Sequence, residues 1–116
     1  MRFDPRRSRR LRLKRPAAAM TGFGRVDIID LGPASLAVRH DNAVEKGKAT
    51  WIEFTWSGRL LRLDCEIRSC RRLRGDDKYR TGLMISGGFS KGEYRRRVDA
   101  AMAKMKAAEA KRTPVI

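Results

Sequence analysis

The sequence predicts a mainly β domain, an antiparallel barrel or sandwich followed by one C-terminal helix. Three observations predict it. Short runs of alternating apolar and polar residues recur through the middle of the chain, bounded by glycine, proline or polar clusters. The 116 residues suit one layer-packed core and not two. After Gly88 the apolar residues change to helical spacing.

The elements follow in order. Gly24–Asp30 is rich in β-branched residues and is bounded by glycines. Leu31-Gly32-Pro33 is a turn signal. Ala34, Leu36 and Val38 then alternate with Ser35, Ala37 and Arg39, as a half-buried strand requires. Asp41 to Gly47 is polar and reads as a loop. Ile52, Phe54 and Trp56 alternate with Glu53 and Thr55, and Ser57-Gly58 suits a hairpin turn. Leu61, Leu63, Cys65 and Ile67 share one face of the next strand, opposite Arg62, Asp64, Glu66 and Arg68. Arg74–Lys78 reads as a loop, and Tyr79, Thr81, Leu83 and Ile85 form the last alternating run. Ser90 and Glu93 fit a capping box. Tyr94, Val98, Ala101, Met105 and Ala108 make one apolar helical stripe that ends before Thr113-Pro114.

Charge divides the chain further. Residues 1–15 carry eight basic residues and Asp4, a basic flexible arm. Residues 16–88 are assigned to the barrel and 89–113 to the helix. The net charge of +15 favours anionic partners: phosphates, nucleotides, nucleic acid or an anionic membrane surface. With 41% hydrophobic residues the chain has enough apolar material to fold.

The same composition excludes several classes. No apolar run is long enough to span a bilayer. Pro16–Met20, after the basic start, is too short for the core of a secretory signal, so a cytoplasmic protein is expected. Cys65 and Cys70 make no disulfide framework, and they point to opposite faces of one strand. A buried Cys65 acting as a small hydrophobe is expected. His40, the sole histidine, is expected at the surface beside Asp41. Asp76-Asp77 reads as a solvated turn, and nothing resembles a nucleophile with its base. Gly87-Gly88 suits release of the chain into the helix. Trp56 belongs to the core by parity, and Trp51 to the opposite face. No catalytic residue, metal ligand or cofactor is expected.

The binding signals are stronger. Arg6-Arg7-Ser8-Arg9-Arg10 places guanidinium groups just before the first strand. Their planar forks suit phosphate oxygens and stack on purine faces. A solvated basic tail is the alternative reading of composition alone. Asp30, ending a strand before Gly32-Pro33, suits either turn chemistry or ligand contact.

Taken together, an Arg-rich arm, a short strand, a strand ending in Asp, a Gly-containing turn, a further strand, a long hairpin, a last Gly-containing strand and a helix resemble a PilZ domain. The resemblance covers about residues 6–88. It implies a six-stranded antiparallel β-barrel with a C-terminal helix, and a non-enzymatic receptor for the bacterial messenger cyclic di-GMP. The family motif R-x-x-x-R matches Arg6 and Arg10, and Arg2 and Arg6 match it in a second register. The family motif [D/N]-x-S-x-x-G is matched by Asp30, with Gly32 where the family has Ser and Ser35 where it has Gly. By that resemblance the ligand-binding residues are Arg6, Arg7, Arg10, Asp30 and Ser35. The arginines would meet phosphates and a guanine face, and Asp30 a guanine N–H edge. Losing the family's Ser hydroxyl costs on the order of 1 kcal/mol, and the Ser35 side chain fills space that the family leaves open. Ligand occupancy would order the arm and pass to an unidentified protein partner. Two rival readings stand beside it. One is a degenerate interaction module that no longer binds cyclic di-GMP. The other is a small basic barrel that binds nucleic acid, disfavoured by the lack of an aromatic stacking platform.

Overall fold

The computed structural model describes residues 3–4 and 10–112, with side chains described from 10 to 108. Arg6 and Arg7 lie outside the described residues. The strands are β1 (Phe3–Asp4), β2 (Leu11–Thr21), β3 (Gly24–Leu31), β4 (Ser35–His40), β5 (Ala49–Trp56), β6 (Arg59–Arg72) and β7 (Tyr79–Gly87), followed by helix α1 (Lys91–Arg112).

Strands β2 to β7 form a closed antiparallel barrel in the order β2-β3-β4-β7-β6-β5. Closure comes from β2 pairing with β5 through Met20 opposite Glu53 and Thr21 opposite Ile52. The closure is confined to that end of β2; at its other end β1 pairs along the edge left free, with Phe3 opposite Leu13 and Asp4 opposite Arg12. The alternation read from the sequence lines the interior: Leu36, Val38, Ile52, Phe54, Trp56, Leu61, Leu63, Cys65, Ile67, Leu83 and Ile85 are all buried, as are Val26 and Ile28 of the β-branched run. The β5–β6 hairpin turns at Ser57-Gly58, both with positive φ, the turn that matches strand twist.

Strand β2 extends five residues into the segment assigned by charge to the arm. Leu11 and Leu13 are core residues, while Arg12, Lys14 and Arg15 face solvent. The charge of this segment therefore sits on the outer face of a barrel strand. Its β signal is masked by Pro16 and three alanines, and the register breaks between Arg12 and Ala17, where proline is tolerated.

Three further expectations are corrected. His40 is 5% exposed, packed against Phe23 at 4.9 Å between ring centroids, with Nε2 hydrogen-bonded to Thr81 Oγ1. It follows the inward Val38 by two residues, so strand parity turns it inward. The Ser90–Glu93 capping box does not form. Ser90 instead pairs with the β6 backbone, its Oγ accepting from the Arg62 N–H at 3.0 Å, while Glu93 pairs with Arg59 and Arg97. The helical stripe also stops short: Tyr94, Val98 and Met105 are buried, but Ala108 is exposed because the helix has run past the barrel.

Helix α1 packs against β2 and β6. Tyr94 is its main anchor, fully buried with its ring edge-on to Phe54 and Trp56. Arg97 adds a bond to the Trp56 carbonyl at 3.1 Å. No helix among the described residues is long and apolar enough to cross a membrane.

Candidate functional site

The site is built on the outer face of β3, β4, β7 and β6. A register shift in β3 between Ile28 and Asp30 makes it. Leu31 pairs with Leu36, and both are core residues. Asp30 pairs with Ala37 and so faces outward. It is nonetheless only 4% exposed, because arginines cover it. Arg10 Nε donates to Asp30 Oδ1 at 2.6 Å, and Arg10 Nη1 donates to Ser35 Oγ at 2.8 Å. Arg80 Nη2 stands 3.7 Å from Asp30 Oδ2. One carboxylate is thus shared by guanidinium groups from the arm junction and from β7.

Gly32 and Ser35 fit this arrangement as a pair. A Cβ at Gly32 would stand 2.8 Å from Arg10 Nη1, so the missing side chain makes room for the guanidinium. The Ser35 hydroxyl accepts from the same nitrogen. The turn is closed by the Gly32 N–H on the Ser35 carbonyl at 2.7 Å. From the other side, the Tyr94 hydroxyl donates to the Gly32 carbonyl at 2.7 Å. Burial pushes the Tyr94 phenol well above its ordinary pKa, so it stays a neutral donor.

Beside the cluster lies an open cavity of about 480 Å³, lined by Arg10, Asp30, Ser35, Leu36, Ala37, Arg68, Arg80, Gly82, Leu83 and Met84. Sites for small ligands run from about 300 to 1,000 Å³. Ala37 and Gly82 stand opposite each other, leaving a low platform between larger side chains. Three guanidinium groups line it with the one carboxylate of Asp30, and Glu66 pairs with Arg68 beside it, so the rim keeps an excess of positive charge. Burial lowers the pKa of Arg80; Asp30 opposes that, and Arg71, Arg10 and Arg12 add to it.

No family model matches the chain, and no curated protein matches it in sequence. Solved structures do match it in shape. The PilZ domain of CeSA, from a cellulose-synthesizing bacterium, superposes with a TM-score of 0.56 at 17% identity, covering 79% of this chain and 96% of that one. The fold is PilZ-like. The Bacillus subtilis inhibitor of motility MotI/DgrA superposes with a TM-score of 0.65 at 10% identity over 92% of this chain, and the Borreliella burgdorferi PlzA protein in complex with c-di-GMP with 0.50 at 10% over 87%. The chain spans about half the length of each, 52% and 47% respectively.

Within this PilZ-like barrel the sequence candidates separate. Arg10, Asp30 and Ser35 come together at one cavity. Asp30 bonds Arg10 there and stands 3.7 Å from Arg80. Asp76 serves the β6–β7 loop, accepting from the Lys78 N–H at 3.0 Å and pairing with Arg39. Among the described residues no cluster of His, Cys, Asp or Glu could hold a metal. Cys65 is buried, and burial pushes its thiol up to about 12. Trp51 lies on the outer face under the Arg62 guanidinium, 4.8 Å from the ring centroid.

Sequence reasoning missed Arg68, Arg80, Gly82 and the hydroxyl of Tyr94. A weak signal existed for the platform: Ala37 and Gly82 are small residues at outward strand positions where bulkier ones are the norm. Nothing local marked Arg80 among so many arginines.

Proposed function

We propose that this chain is a non-enzymatic receptor module for cyclic di-GMP that relays occupancy to a protein partner in the bacterial cytoplasm. The observation that carries this reading is the convergence of Arg10, Asp30 and Ser35 on the rim of an electropositive cavity in a PilZ-like barrel. The c-di-GMP complex of the PlzA neighbour supports the choice of ligand. Guanidinium forks of Arg10, Arg68 and Arg80 suit phosphate oxygens. The Asp30 carboxylate suits the paired N–H donors of a guanine edge, and the Ala37–Gly82 platform admits a flat base. In this reading ligand phosphates compete with Asp30 for Arg10. Arg6 and Arg7 of the arm would close over the ligand.

A second reading has its own observation. The Arg10 fork is already filled by Asp30 and Ser35, so the site is satisfied without a ligand. That arrangement suits a PilZ-like interaction module that has given up cyclic di-GMP.

Isothermal titration with cyclic di-GMP at moderate salt, with GTP and a short DNA duplex as controls, decides between them. Saturable binding of cyclic di-GMP alone is expected. No binding by the folded protein overturns the receptor reading in favour of the interaction module. Binding of DNA alone, weakening steeply with salt, assigns the charge to nucleic acid.

A further inference from the structure

Three arginines stand directly opposite one another on neighbouring strands. Arg39 on β4 faces Arg80 on β7, and Arg80 faces Arg71 on β6. Opposed residues of an antiparallel pair share a face, with Cβ atoms about 4.5–5.5 Å apart. All three therefore rise from the outer face that carries the cavity. Like charges placed this way destabilise a sheet unless a counter-charge joins them.

The counter-charges are unevenly shared. Arg39 pairs with Asp76 and stands opposite Asp27. Arg80 divides Asp30 with Arg10. Arg71 is exposed and has no carboxylate partner among the described residues. Arg12 stands opposite Asp30 on one side and Asp4 on the other. The positive charge left over is concentrated at the Arg71–Arg80 end of the ladder, and Arg80 lines the cavity.

We infer that Arg71 and Arg80 form a second phosphate subsite, contiguous with the cavity and built wholly from barrel strands. Its ligand is a nucleotide with two phosphates held apart, one met by Arg10 and the other bridging Arg71 and Arg80. A phosphate there accepts bonds from both forks and supplies the charge that the ladder lacks. The identity of the nucleotide rests on the receptor reading above; the anion subsite rests on the ladder alone.

The test uses the full chain and two variants, Arg71→Gln and Arg62→Gln, titrated with cyclic di-GMP and separately with inorganic pyrophosphate. Arg62 is an exposed arginine of the same strand, paired with Glu53 and outside the cavity lining, and serves as the control. Loss of one charged partner predicts about tenfold weaker binding of both probes by Arg71→Gln, and a change of no more than about twofold for Arg62→Gln. Equal losses in the two variants, or none in Arg71→Gln, overturn the subsite. Arg71-dependent pyrophosphate binding without cyclic di-GMP binding upholds the subsite and sinks the receptor reading. Cyclic di-GMP binding that is indifferent to Arg71 does the reverse. Binding of neither probe by the unmodified chain overturns both. Short single-stranded DNA that binds more tightly than either probe, with the same dependence on Arg71, overturns the nucleotide as the ligand.

Discussion

The Tyr94 hydroxyl donates to the Gly32 carbonyl at 2.7 Å and so ties the first turn of α1 to the turn that carries the site. The same turn is held on its other side by Arg10 through Ser35. A change at Arg10 therefore has a short path to the helix. Replacing Tyr94 with Phe keeps the ring among Phe54 and Trp56 but leaves a buried carbonyl short of a partner. A loss of about 1–2 kcal/mol is expected. Urea denaturation followed by tryptophan emission measures it, and an unchanged midpoint would show that the bond contributes nothing.

Asp30 is the hub of the site. Asp30→Asn removes the charge that Arg10 and Arg80 share. Removing one partner of a buried pair costs about 3–5 kcal/mol. Arg10 and Arg80 are each about a third exposed, so solvent screens part of this. A loss of about 2 kcal/mol is expected on that scale. Cyclic di-GMP binding should fall as well, read by titration under conditions where the variant is folded.

His40 makes stability depend on pH. Burial lowers its pKa below 6.5; the nearby Asn42 backbone and the charge of Asp41 oppose the shift without cancelling it. The unfolded chain thus takes up a proton at a higher pH than the folded one. The His40 contribution is complete above about pH 6.5 and is lost as pH falls through and below that value. Denaturation midpoints at pH 7.5, 6 and 5 should decline, and His40→Gln should flatten that decline. An equal decline in the variant would assign the effect to other groups.

Gly87 and Gly88 are neighbours with different demands. Gly88 has φ +104°, and a Cβ there would stand 2.8 Å from the Asp64 backbone nitrogen. At Gly87 the nearest contact is 3.9 Å away, to the Asp64 carboxylate. Gly88→Ala should cost upwards of about 2 kcal/mol, combining backbone strain with a clash against β6. Gly87→Ala should cost about 1 kcal/mol or less. Thermal melts of the two variants side by side check the order.

The two thiols should react unequally. Cys65 is buried with its thiol pushed up to about 12, whereas Cys70 is half-exposed. Brief treatment of the native protein with iodoacetamide should label Cys70 alone, and Cys65 should react only after denaturation. Peptide mass spectrometry reads the outcome. Early labelling of Cys65 would mean that β6 opens locally.

What the sequence determined by itself is the part of the molecule governed by local periodicity. Alternation at period 2 placed β4 to β7, their inward residues from Leu36 to Ile85 and the β5–β6 hairpin, because each strand face repeats every second residue, and β-branched content placed β3. Helical spacing placed Tyr94, Val98 and Met105 in the core. Asp30 and Ser35 stood out through their motif. Tertiary structure decided the rest, for reasons no local window contains. The closure of β2 on β5 joins residues more than thirty positions apart. The β3 register shift inverts the facing of Asp30, and a shift of one residue is invisible in a pattern read two at a time. Arg10 and Arg80 meet on one carboxylate only because the barrel brings β2, β3 and β7 around a common face. Among so many arginines, composition could announce an anionic partner, but only cross-strand pairing could say which of them stand together.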